Sequence, residues 1–238
     1  MPEPKALIFD VFGTVVDWRA SVARESVPWL QKLGRSDLDP HAFADGWRSR
    51  YIKIMTDFHK TGREFVVLDV LHREMLDDWL GELNIDPSSI GEEGLNEWNM
   101  AWHRLDPWPD TVEGMHRLRK KFPLATCSNG NIRLMLDMAR HGGLPWDAIL
   151  GAEISKSYKP SPETYLGTVR ALMLEPGEVC LVAAHHGDLA AARKCGLQTA
   201  YVYRAMEFGG APSPDTTTPQ DWEYRATSFT ELADRMGC

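Results

Sequence analysis

The chain has 238 residues, 43% of them apolar, and a formal net charge of −8. That size and composition suit a globular domain with room for a smaller subdomain. The acidic balance argues against a nucleic-acid or membrane-surface binder, since both need a basic face. No apolar run has the length of a membrane span or the form of a secretory signal. Cys127, Cys180, Cys195 and Cys238 are scattered without metal-binding spacing, so a reduced, cytoplasmic setting is expected.

The first predicted element is the strand ALIFDV (6–11), apolar almost throughout, as a strand covered on both faces should be. Asp10 stands at its tip, ahead of Gly13 and Thr14. Residues 19–104 carry no strand-like run. Phe43, Trp47, Tyr51, Ile54, Met55 and Phe58 recur at helical spacing, which predicts amphipathic helices. The prolines of DPWPD (106–110) end that block. LATCS (124–128), VCLVAA (179–184) and TAYVY (199–203) read as further strands, and AILG (148–151) as a short one. Helices are expected over 133–140, 162–172 and 189–195, and a surface loop over 208–220. This alternation predicts βαβ units. The expected fold is α/β, a Rossmann-like open parallel sheet built from 1–18 and 105–238, with 19–104 inserted as a helical cap subdomain.

Ligands of such sheets bind beyond the carboxyl ends of the strands. Asp10 follows the first strand, Ser128 and Asn129 the second, and His185, His186 and Asp188 the third. Lys159 precedes a proline between the last two, and Tyr165 lies on the helix after it. Taken singly, each has a plain reading: a turn former, a helix N-cap or a solvated lysine. Their order behind successive β-like runs points to one crevice.

FDVFGT, ATCSNG, YKP and HHGDL correspond to the four motifs of the haloacid dehalogenase superfamily. WRSRY (47–51) and YKPSPETY (158–165) resemble segments of its (S)-2-haloacid dehalogenases, the type II enzymes. That resemblance implies a small anionic 2-haloacid as substrate, no cofactor and a homodimer. It also implies covalent catalysis, in which Asp10 attacks C2 and expels halide, and water then hydrolyses the aspartyl ester. Lys159 would keep Asp10 ionised, and Asp188 would position or activate the water. Ser128 and the backbone at Val11 and Phe12 would hold the substrate carboxylate. Arg48 from the cap, with Asn129, would cradle the halide, and Thr14 and Tyr165 would support by hydrogen bonds. Arg50, on another side of the helix, would stand apart.

Phosphatases of the superfamily carry a second Asp where this chain has Phe12. That second acid protonates a basic alkoxide leaving group. Phe12 has no proton to give, and a halide needs none. A hard dication wants several oxygen ligands, and Ala192 stands where a further acid might be sought, so no metal is expected. The chain also departs from the dehalogenase pattern. Ala183, Ala184 and His185 replace Ser-Ser-Asn, and Gly187 replaces a large aromatic. Some relatives with a histidine near this position release fluoride, which places His185 among the halide or substrate ligands. The alternatives are a Mg²⁺-dependent phosphatase of the same superfamily and a catalytically silent relative. Substrate range would depend on cap residues such as Ile52, Val66 and Val67.

Overall fold

A computed structural model describes residues 2–238, except the side chains of Ile52, Thr56, Asp57, His59, Lys60 and Thr61. Ile52, named above for substrate range, therefore lies outside the described residues, and Val66 and Val67 lie in the stretch joining two helices. The chain divides into two units, Met1–Asp17 with Asp106–Cys238, and Trp18–Leu105.

The first unit is organised around β1 (Ala6–Phe9), whose four residues are all buried. The remaining strands are β2 (Val16–Asp17), β3 (Asp106–Pro107), β4 (Leu124–Thr126), β5 (Val179–Ala183), β6 (Gln198–Val202) and β7 (Tyr224–Ala226). Five form a parallel sheet in the order β4-β1-β5-β6-β7, while β2 and β3 make a short antiparallel ribbon. Phe9 pairs with Thr126 on one side and Val182 on the other. That register sets the residues just past all three strands side by side at one sheet edge.

The AILG segment differs from its prediction. It makes only isolated bridges, Ala125 to Ala148 and Ser128 to Gly151. Ala148 keeps backbone bonds to β4, but at Leu150 the Thr126 hydroxyl takes over, accepting from Leu150 N at 2.9 Å and donating to Leu150 O at 2.8 Å. β7 and the β2–β3 ribbon have no sequence signal because each strand is two or three residues long and only partly apolar.

The helical unit contains α1 (Trp18–Lys32), α2 (Pro40–Thr61), α3 (Leu68–Glu82) and α4 (Glu92–Asn99). Asp39 caps α2 by accepting from Ala42 N at 2.7 Å, Pro40 opens it, and left-handed Gly62 closes it. Its core is aromatic. Phe43 stacks on Trp98 at 5.0 Å, and Trp47 meets Trp102 edge-on at 5.5 Å. His72 stacks on Trp102 at 4.2 Å. Burial, against the pull of Asp69, lowers the His72 pKa to about 3. Arg50 is tied to Asp78 and Glu82 and lies 4.2 Å over the Trp79 ring, so it is structural rather than a bystander. Among the described residues, no helix is long and apolar enough to cross a membrane.

In the first unit, α5 (Thr111–Leu118), α6 (Ile132–Gly142), α7 (Ala152–Ser155), α8 (Pro162–Ala171), α9 (His186–Lys194) and α10 (Phe229–Arg235) complete the fold. Ile8 of β1 joins a cluster with Tyr165 and Val169 of α8 and Leu189 of α9. Phe9 instead packs against Trp146 and against Phe229 of α10, at 5.3 and 5.6 Å. Successive β1 side chains thus enter two cores, which explains the unbroken apolar run.

Candidate active site

Asp10 lies one residue beyond β1, and its amide donates to Val182 O at 3.0 Å. Its two carboxylate oxygens have different partners. Lys159 Nζ donates to Oδ1 at 2.9 Å. The Thr14 hydroxyl donates to Oδ2 at 2.6 Å, and His185 Nδ1 lies 3.1 Å from the same oxygen. Thr14 is itself held by the amide of Ala184, which donates to its Oγ1 at 2.9 Å. Burial pushes the Asp10 pKa up, but the Lys159 charge, His185 and Thr14 together outweigh it. The carboxyl stays well below the usual carboxylate range and is ionised at neutral pH.

Lys159 also donates to Asp188 Oδ2 at 2.5 Å, so one ammonium bridges two carboxylates. Burial disfavours its charge, but Asp10 and Asp188 more than compensate, and its pKa is raised. Asp188 Oδ1 accepts from the Tyr165 hydroxyl at 2.6 Å. Burial dominates at Asp188, helped by the nearby Asp10 charge and opposed by Lys159, and pushes its pKa upward. Asp188 lies in the first turn of α9 behind His185, so it is not that helix's N-cap. Tyr165 is fully buried and acts on Asp188 rather than on an open pocket.

Asn129 Oδ1 accepts from the Lys159 amide at 2.7 Å and so helps fix that residue. Ser128 is fully buried, and its Oγ accepts from Gly130 N at 3.0 Å. Gly151 crosses this strand end with φ +124, where an added Cβ would lie 2.3 Å from Ser128 O. Val11 and Phe12 are buried beside Asp10, and position 12 carries an aromatic ring in place of an acid. Arg48 belongs to the helical unit, its guanidinium 4.2 Å over the Tyr51 ring and 5.7 Å over Trp18.

His185 was expected among the halide or substrate ligands, and its ring has protein partners on both sides. Both ring nitrogens are engaged, Nδ1 at Asp10 and Nε2 at Glu207, whose two oxygens lie 2.9 and 3.0 Å away. A carboxylate at each nitrogen requires a proton on each, so the ring is an imidazolium. Burial lowers its pKa, but Glu207 and Asp10 raise it well above the ordinary histidine value. Glu207 escaped the sequence reading because it immediately precedes a loop rich in Gly and Pro. Its one signal was Gly13, which has φ +82 and no room for a Cβ beside Glu207 Oε1, only 2.0 Å away.

The arrangement is an ionised carboxylate at a strand tip, flanked by two cationic donors, with a second carboxylate held behind the lysine. It suits nucleophilic attack followed by hydrolysis of the product ester. Residues 4–196 match the haloacid dehalogenase-like hydrolase family. The chain belongs to this family. It is 44% identical to a solved defluorinating L-2-haloacid dehalogenase, with a TM-score of 0.95, covering 99% of this chain and 96% of that one. A second solved L-2-haloacid dehalogenase is 42% identical with a TM-score of 0.91, covering 98% and 99%. The (S)-2-haloacid dehalogenase 4A of Burkholderia cepacia is 28% identical over 241 residues, covering 96% of this chain and 98% of that relative. In this haloacid dehalogenase-like hydrolase, first-motif Asp10, third-motif Lys159 and fourth-motif Asp188 form one hydrogen-bonded line.

Proposed function

We propose that the protein hydrolyses small 2-haloacids, such as haloacetates and 2-halopropionates, to 2-hydroxy acids through an ester on Asp10. The observation that carries this is an ionised Asp10 bonded to Lys159 beside Phe12, a nucleophile without the acid that an alkoxide leaving group needs. Asp10 attacks C2 from the side opposite the halogen, forming a C–O bond as the carbon–halogen bond breaks. Water then adds to the ester carbonyl, with Asp188 positioning it, and the ester oxygen leaves as the product hydroxyl. Ser128 and the amides near Val11 and Phe12 are assigned to the substrate carboxylate, which fixes the reacting carbon.

The helical unit is assigned as a cap, with Arg48 as the halide donor and Asn129 beside it. This rests on the resemblance of WRSRY to the dehalogenase cap helix. Cytoplasmic location is supported by the free thiols, Cys127 and Cys180 being buried, and a homodimer by the resemblance alone.

Halide release from chloro-, bromo- and fluoroacetate, measured with EDTA present, tests the function. Release from at least one of them is expected. No release from any, together with Mg²⁺-dependent turnover of p-nitrophenyl phosphate, overturns it in favour of a phosphatase.

A further inference from the structure

Glu207 lies outside every motif, yet it is only 3% exposed and both its oxygens converge on one nitrogen of His185. The chain makes room for it at Gly13, where any larger residue would collide with the carboxylate. His185 is the N-cap residue of α9, but its side chain caps nothing there and is committed instead to Glu207 and Asp10.

We infer that Glu207 is a positioning residue for ester hydrolysis, fixing His185 as a charged N–H donor to Asp10 Oδ2, where the oxyanion of the tetrahedral intermediate forms. This rests on the ester mechanism proposed above. Lys159 engages Oδ1, whereas Thr14 and His185 engage Oδ2. Esterification through Oδ1 leaves Oδ2 as the carbonyl oxygen, already facing two donors. Water oxygen bonds to Cγ, and the carbonyl π pair moves onto Oδ2. Collapse returns that pair and breaks Cγ–Oδ1, so Oδ1 departs on C2. One water proton ends on the product hydroxyl, the other passes to solvent, and His185 keeps both of its own. The negative charge on Oδ2 is small in the ester and large in the intermediate, so the two donors favour the intermediate selectively.

The charges facing His185 come from several segments. Asp10 approaches from the end of β1 and Glu207 from beyond β6. Lys159 and Asp188 stand behind Asp10. Asp215 and the adjacent His186 act at longer range, and Arg204 lies near Glu207. Removing the Glu207 charge lowers the pH at which the ring loses its second proton.

The test is Glu207→Gln, assayed by halide burst, steady-state kcat against pH with chloroacetate, and ¹⁵N NMR of the His185 ring. The expected result is a retained halide burst and accumulation of ester on Asp10. A kcat lowered about 10–100-fold is expected, less than the ~10²–10³-fold cost of deleting a direct oxyanion donor. The alkaline limb of kcat should also move to lower pH. A variant with wild-type kcat and an unmoved alkaline limb overturns the inference. If Glu207→Gln does not fold, Glu207→Asp keeps the charge but shortens the reach. It should lower kcat with a smaller shift of the limb, and wild-type kcat there overturns the inference equally. Failure of the ester mechanism is distinguishable, because wild-type Asp10 itself would then take up no ¹⁸O during a single turnover in H₂¹⁸O.

Discussion

Lys159 Nζ lies 2.9 Å from Asp10 Oδ1, although 149 residues separate them in sequence. Asp10 is buried, and burial alone would raise its pKa, so the lysine charge is the chief reason it stays ionised. In Lys159→Gln the acid limb of kcat/KM should therefore move to higher pH, by about 1–3 units. The sign follows from Asp10: its depressed pKa keeps the nucleophile ionised into acid, and removing the cation brings protonation at a higher pH. A pH–rate profile of halide release checks this, and an unmoved acid limb contradicts it.

Asp10→Asn replaces the nucleophile with a group that cannot form the ester, while keeping its size. Halide release should fall at least ~10³-fold, the scale of losing a nucleophile that acts with its partners. The thermal unfolding midpoint, measured alongside, separates this from misfolding.

Phe12 bears on the leaving group. EDTA should leave halide release unchanged, and p-nitrophenyl phosphate should not turn over with added Mg²⁺. Phe12→Asp introduces a second anion beside the nucleophile and an anionic substrate. At roughly 1 kcal/mol or more for like charges about 4 Å apart, haloacid turnover should fall at least about fivefold. Steady-state kinetics on chloroacetate measure the effect.

His72 makes the helical unit sensitive to acid. Its folded pKa is about 3 against an ordinary 6.5, so the unfolded chain takes up the proton first as pH falls. Stability is therefore lost between pH 6.5 and 3, at up to about 1.4 kcal/mol per pH unit from this group. His72→Leu should flatten the acid side of the unfolding midpoint against pH. Parallel wild-type and variant curves would contradict that.

The parallel sheet was legible because β1, β4 and β5 are buried on both faces and so are almost wholly apolar. Asp10 and Asp188 were legible because each follows such a run, and Lys159 because its Lys-Pro step falls between two of them; its side chain then bridges the two carboxylates. AILG misled because its apolar side chains say nothing of the Thr126 hydroxyl that engages the Leu150 backbone. Arg50 reads as lying on another side of the Arg48 helix, and only Asp78, Glu82 and Trp79 show that it is structural. His185 was visible but not its direction, which depends on Glu207, 22 residues further along the chain.

The ester on Asp10 is tested most directly by a single turnover of chloroacetate in H₂¹⁸O, followed by mass spectrometry of the Asp10 peptide and of the product. Because water attacks Cγ, ¹⁸O should enter Asp10 and the first glycolate released should be unlabelled. Label in the glycolate of that first turnover, with none in Asp10, would mean that water attacks C2 directly and would contradict the covalent mechanism.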